Sequence, residues 1–156
     1  MDMVVMEMAH TASEGPQDLA HDAVATYPCE GSTGLVYSLS HETPNPVPGR
    51  NLAVSPLGVS VVIRVRQGQA LGIEQVAVTS TQTGSPVVMR THVGGINGAP
   101  DPYGEFDRSV VYVVADAPMQ PHASYTAQIT GTNNGVPFIR RFTFMTGELA
   151  FNAMGP

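Results

Sequence analysis

A chain of 156 residues in which 42% are hydrophobic has enough apolar side chains to bury the core of one ordinary domain. Its 16 glycines and 13 prolines interrupt helical runs, so many turns and an all-β fold are expected. Seven basic residues against 13 acidic residues argue against a nucleic-acid partner, because neutralising phosphates requires clustered Lys and Arg.

Residues 1–23 are predicted to be an N-terminal extension or linker. Met1–Ala9 is short and apolar and could form a strand, whereas residues 10–23 are small and polar. This segment lacks the basic region and the long apolar run of a signal peptide, and no other run is long enough to cross a bilayer. We therefore expect no membrane insertion, and we expect any export signal to lie outside this chain.

The same extension contains a cluster of soft metal ligands. Thioethers suit Cu(I), which makes this segment a candidate copper site. An apolar strand that packs on a partner is the alternative, because methionine is an adaptable core residue. The histidines show no HxH or HExxH spacing and Cys29 is the single cysteine, so neither a zinc site nor an intramolecular disulfide is expected. The candidate Cu(I) ligands are Met3, Met6, Met8 and His10.

The domain itself is predicted to begin at Val24. Residues 41–49 are too rich in proline to join a central strand. Gly58–Arg66 alternates with a period of two, which predicts Val59, Val61, Ile63 and Val65 in the core and Ser60, Val62, Arg64 and Arg66 on the solvent face. Residues 67–72 are predicted to turn the chain. Two strands are predicted next, Ile73–Thr81, with Val76 and Val78 in the core, and Val87–Val93.

A long loop, residues 94–107, carries a group of acidic side chains. Asp101, Glu105 and Asp107 could supply the oxygen ligands that Ca²⁺ prefers, although their spacing is not that of an EF-hand. Solvated loop charge is the alternative interpretation. Tyr103 and Phe106 in the same loop could form a contact patch for a partner or a sugar, or could cap the end of the domain.

The last part of the chain is predicted to form three consecutive antiparallel strands. They are Ser109–Ala115, Tyr125–Thr130 and Phe138–Thr146, and the Asn134-Gly135 pair between the last two is a strong hairpin signal. A proline-bounded corner followed by Tyr125 is typical of a tyrosine corner, in which the hydroxyl bonds to backbone a few residues upstream. The predicted core residues are Val61, Ile63, Val111, Val113, Met119, Tyr125, Ile129, Phe142 and Phe144.

The run from Pro118 to Gly147 resembles the end of bacterial Ig-like domains of secreted and surface-layer proteins. Met119 stands where that family usually has leucine. The resemblance implies an Ig-like Greek-key β-sandwich of about seven strands with long loops, over residues 24–147, followed by a C-terminal tail, residues 148–156. The matching positions are Met119, Tyr125, Gly131, Gly135, Phe142, Phe144 and Thr146.

A second resemblance concerns the start of the domain. The segment YPCEGSTGLVYSLSHETPNPVPG, which begins at Tyr27, is similar to the region after the CAP (SCP-like) domain in some exported bacterial proteins. It implies a module that follows such a domain, located outside the cell, in the periplasm or on the cell surface. Any CAP-type catalytic or metal-binding histidines would lie upstream and none maps onto this chain.

The sequence therefore predicts a module without catalysis and without a cofactor. It contains no G-x-S-x-G elbow, no phosphate-binding loop and no carboxylate pair in an acid/base context. We expect a spacer or interaction module whose partner is a neighbouring domain, a cell-surface protein or a glycan. Metal binding, by the Met/His extension or by the acidic loop, is the alternative. The sequence gives neither the oligomeric state nor a role for Cys29.

Overall fold

The computed structural model describes residues 19–42, 44–104 and 106–149, and these form an all-β sandwich of two four-stranded antiparallel sheets. The predicted fold class is confirmed. Sheet I has the strand order β1-β2-β6-β5 and sheet II the order β4-β3-β7-β8. The strands are β1 (Ala25–Tyr27), β2 (Ser60–Arg64), β3 (Leu71–Ser80), β4 (Pro86–Val87), β5 (Val93–Gly94), β6 (Val110–Val114), β7 (Ser124–Asn133) and β8 (Val136–Met145).

Sheet II is built on three long strands, β3, β7 and β8, each of which begins earlier than the sequence predicted. β3 already begins at Leu71, within the predicted turn, and a bulge between Ile73 and Gln75 shifts its alternation, so that Ile73 and Val76 both pack on the core. β7 continues to Asn133, and only Asn134 and Gly135, both with positive φ, form the hairpin turn.

The strand predicted at Val87–Val93 is wrong as a single element. Pro86–Val87 pairs with β3 in sheet II, whereas Val93–Gly94 pairs with β6 in sheet I. The chain between them therefore crosses from one sheet to the other. A short run of this kind has the same sequence pattern whether it stays in one sheet or crosses between two sheets. The pattern therefore predicted one strand where the structure has two.

The core lies between the two sheets. All nine residues predicted to form it belong to one buried cluster, with Phe144 stacked on Tyr125 at a ring-centroid distance of 5.9 Å. Phe142 lies beside Phe144 with a centroid distance of 6.2 Å. Aromatic rings from the closing hairpin thus fill the space between the sheets, and their burial supplies much of the favourable free energy of folding.

The outer face of sheet I is covered as well, by a cover loop (residues 36–57, of which Thr43 lies outside the described part). Leu39, Leu52 and Leu57 pack there with Val114 to form a second buried cluster. The prediction that Ser60 and Val62 face solvent is therefore wrong: they point away from the main core, yet both are buried. On this face the cover loop packs on Val114, and strand periodicity cannot indicate such a layer.

Candidate functional site

Two of the three residues predicted to bind calcium, Asp101 and Asp107, use their carboxylates to bond to nearby backbone. Asp101 Oδ1 accepts a hydrogen bond from Tyr103 N (3.0 Å), and Asp101 Oδ2 accepts one from Phe106 N (2.7 Å). Asp107 Oδ1 accepts from both the backbone N–H (2.8 Å) and the hydroxyl of Ser109, and these bonds lower the pKa of Asp107. Glu105, the third predicted ligand, lies outside the described residues.

The candidate copper ligands Met3, Met6, Met8 and His10 also lie outside the described residues, so the Cu(I) site stays a prediction. Over residues 19–42, 44–104 and 106–149, no three His, Cys, Asp or Glu side chains come close enough together to share a metal ion. Of the remaining histidines, His92 Nε2 lies 3.1 Å from Asn97 Oδ1 and His122 Nε2 lies 3.9 Å from a Glu148 oxygen.

The two loop aromatics contact the protein itself. Tyr103 donates its hydroxyl hydrogen to the carbonyl of Asn45 in the cover loop, at 2.6 Å. Phe106 stacks on Tyr112 of β6, with ring centroids 6.1 Å apart. Both rings therefore join the acidic loop to neighbouring structure, while Tyr103 remains 43% exposed, so capping and a contact patch both stay predictions.

An ion-pair group that the sequence did not indicate fastens the cover loop. Arg50 Nη1 donates to Asp116 Oδ1 (2.8 Å) and Arg50 Nη2 to the Asp116 carbonyl (2.6 Å), while Arg50 also bonds to the carbonyls of Ser55 and Pro56. Arg90 Nη1 donates to the same Asp116 oxygen at 3.0 Å. Hydrogen bonds from Arg50 and then Arg90 hold the pKa of Asp116 below its ordinary value.

The tyrosine corner is present in its expected place. Tyr125 is buried in the core, and its hydroxyl oxygen accepts a hydrogen bond from the backbone N–H of Gln120 at 2.9 Å. Thr146 reinforces the same corner, since its hydroxyl donates to the carbonyl of Gln120 at 2.6 Å. The corner therefore ties the β6–β7 connection to the end of β8.

A small open cavity of about 190 Å³ lies beside β2. Leu35, Leu39 and Val59 make most of its lining apolar, and Tyr27 and Thr33 contribute polar groups. Burial, and then the neighbouring Cys29, raise the pKa of Tyr27. Cys29 itself is an exposed free thiol whose sulfur lies 3.6 Å from Ser32 Oγ. The cavity is smaller than typical ligand pockets, which measure about 300–1,000 Å³.

Within the described residues, one half of the β8 edge is covered. Segment 30–35 runs beside the end of the strand, where Gly31 N donates to Thr143 O (2.8 Å) and Met145 N donates to Ser32 O (2.8 Å). Leu35 pairs with Thr146 in the parallel sense. The preceding half of β8, Val136–Arg141, has no such neighbour among the described residues.

No protein-family model and no curated protein matches the chain. In the described part of the chain, no helix is both long and apolar enough to pass through a membrane.

Proposed function

We propose that the chain is a non-catalytic Ig-like module that acts as a spacer or interaction module of an exported or cell-surface bacterial protein. The observation that carries this proposal is the strand order. β1-β2-β6-β5 and β4-β3-β7-β8 correspond to the A-B-E-D and C′-C-F-G sheets of an immunoglobulin sandwich, in which C′ extends the C-F-G sheet. The tyrosine corner at Tyr125 supports the same assignment.

The spacer role is supported by the places where the chain enters and leaves the sandwich. The backbone carbonyl of His21, just before β1, accepts hydrogen bonds from the side-chain amides of Gln69 and Asn133. This residue therefore lies at the β7–β8 hairpin. The last described residues, Thr146–Leu149, follow the other end of β8, where the Leu149 carbonyl accepts a hydrogen bond from Tyr37 N at 3.3 Å. Ten residues of extended strand separate these points, which amounts to about 30 Å at roughly 3.3 Å per residue. A module with entry and exit at opposite ends holds its neighbours apart.

The pairing of residues 31–35 with the last described residues of the chain suits a module that bears load. Residues 31–35 run parallel to residues 143–147 and are joined to them by backbone hydrogen bonds, including Gly147 N to Leu35 O at 2.7 Å. Pulling on the two ends loads these bonds in shear, so several must break together. The CAP-type resemblance of the start of the domain supplies the bacterial, exported setting of the proposal.

Single-molecule pulling of the full chain by its two ends tests the spacer role. We expect one cooperative unfolding event at a defined force. Gradual extension at low force would contradict a load-bearing spacer. Chromogenic esterase, glycosidase, peptidase and phosphatase substrates test the non-catalytic assignment, and we expect no turnover above buffer. Turnover that heat denaturation of the protein abolishes would overturn it.

A further inference from the structure

The open half of the β8 edge presents unpaired backbone groups in a regular row. Odd-numbered residues of β8 direct their N–H and C=O groups away from β7, as Thr143 and Met145 show by bonding to segment 30–35. Ile139 and Arg141 are also odd-numbered, so their N–H and C=O groups point away from β7 as well. Their N–H groups have no partner in the described part of the chain. An edge of this kind is a template for one more strand.

The row ends at a proline, which limits what the edge can accept. Pro137 has no N–H to offer, and the carbonyl of Ile139 accepts a bond from Arg140 Nη1 at 2.9 Å. Among the described residues, the free groups are thus the N–H groups of Ile139 and Arg141 and the carbonyls of Pro137 and Arg141. A short extended segment of a few residues fits this row, whereas a long strand would collide with segment 30–35.

The side chains along the edge define the chemistry of that segment. Ile139 is 64% exposed on the outer face, and Arg141 lies exposed beside it, two residues along. Arg140 lies on the other face, with its guanidinium carbon 5.7 Å from the centre of the Phe138 ring. Neither arginine forms an ion pair among the described residues. Arg140 donates to the carbonyls of Val24 (3.4 Å) and Ile139 (2.9 Å), and Arg141 Nη1 donates to Gln128 Oε1 (3.2 Å). Among the described residues both positive charges therefore bond only to neutral acceptors, on a chain of net charge −6.

We propose that Val136–Arg141 of β8 is a docking edge that adds a short, acidic, extended segment of a partner protein as an extra strand. The N–H groups of Ile139 and Arg141 bond to its carbonyls, an aliphatic side chain packs beside Ile139, and a carboxylate two residues away pairs with Arg141. This inference deepens the interaction role proposed above and rests on it.

The test uses the full chain and two short fluorescent peptides of alternating threonine and valine, one with glutamate and one with lysine in the position opposite Arg141. We expect the glutamate peptide to bind and the lysine peptide not to bind. Hydrogen exchange at the Ile139 and Arg141 amides should slow by at least about tenfold on binding, because these amides enter a ladder. Amides that already bond to β7, such as Phe142, should not change.

Substitutions separate the backbone contribution from the charge. Ile139→Pro removes an edge N–H and should abolish binding, whereas its control, Ile139→Thr, keeps the N–H and the binding. Arg141→Glu should reverse the preference in favour of the lysine peptide. If Ile139→Pro does not fold, the docking edge is still tested by the reversed peptide preference of Arg141→Glu and by hydrogen exchange at the Ile139 and Arg141 amides.

Equal binding of both peptides, or binding that leaves the Ile139 and Arg141 amides unchanged, would overturn the docking edge. Protection of these amides in the free protein would overturn it as well. Protection that does not depend on protein concentration would mean that the chain covers its own edge. Protection that rises with concentration would mean that a second copy covers it. None of these results affects the pulling experiment, so the spacer role stands or falls separately.

Discussion

Sheets I and II share one core but differ on their outer faces. The face of sheet I that carries Ser60, Val62 and Val114 is buried, in part under the cover loop, whereas the corresponding face of sheet II carries the exposed side chains of Ile139 and Arg141. The central strands of sheet I, β2 and β6, are thus largely buried on both sides and almost entirely apolar, while β7 and β8 of sheet II alternate. Strand alternation therefore indicates which residues face solvent only when no other layer covers the sheet.

The inner layer common to both sheets should show the largest effect of a single substitution. Phe144→Ala removes a buried ring that contacts Tyr125 and Phe142, and it should lower the free energy of unfolding by about 3–5 kcal/mol. Urea denaturation followed by circular dichroism measures this. Phe142→Ala should cost a similar amount. A urea midpoint equal to that of the parent would mean that these rings do not fill the core.

The covered face of sheet I should be nearly as sensitive. Leu57 is fully buried in the second cluster, and its backbone pairs with Leu39 in both directions, at 2.8 and 3.0 Å. Leu57→Ala should therefore cost about 2–5 kcal/mol in the same urea experiment, although Leu57 lies in no named strand. The control is Val54→Ala in the same loop, where the side chain is exposed. Equal, small effects of both would show that the loop does not form a second core.

This covered face also marks the limit of what the sequence predicted. The all-β fold, the core aromatics and the hairpin followed from composition, strand periodicity and an Asn-Gly turn, most of which are local signals. The cover loop has no such signal, because its proline-rich chain is placed by contacts distant in sequence. Arg50 and Asp116, for example, meet across 66 residues. The sequence located the acidic loop, but composition does not indicate that its carboxylates accept hydrogen bonds from nearby backbone N–H groups.

The tyrosine corner should give an intermediate effect. Tyr125→Phe keeps the ring in the core but leaves the Gln120 N–H without its acceptor, so it should lower the free energy of unfolding by about 1–2 kcal/mol. Paired urea titrations of Tyr125→Phe and the parent measure the difference. Thr126→Val, on the outer face of β7, is a control that removes a hydroxyl from a half-buried site. A decrease in the free energy of unfolding as large as that of Phe144→Ala would mean that the hydroxyl contributes more than one hydrogen bond.

The attachment of the cover loop should weaken in acid. The pKa of Asp116 is lowered in the folded protein by Arg50 and Arg90, so its contribution is fully present above the ordinary value of 3.8 and is lost as the pH falls through the lowered value. Asp116→Asn should therefore be less stable than the parent at neutral pH, and the difference should shrink below about pH 4. Urea midpoints across this range measure it. Glu74→Gln on β3 is the control. A stability difference between Asp116→Asn and the parent that does not change with pH would contradict a stabilising role of the ionised Asp116 carboxylate.

The smallest effect belongs to the open face of sheet II. Ile139 is large and apolar, yet it is mostly exposed, so Ile139→Thr should change the free energy of unfolding by no more than about 0.5 kcal/mol. The same chemical change at Ile63, which is fully buried in sheet I, should be strongly destabilising because it places a hydroxyl in the core. Thermal unfolding of both variants measures the contrast. A destabilisation at Ile139 comparable to that at Ile63 would mean that another layer covers this face too, and the difference between the two sheets would disappear.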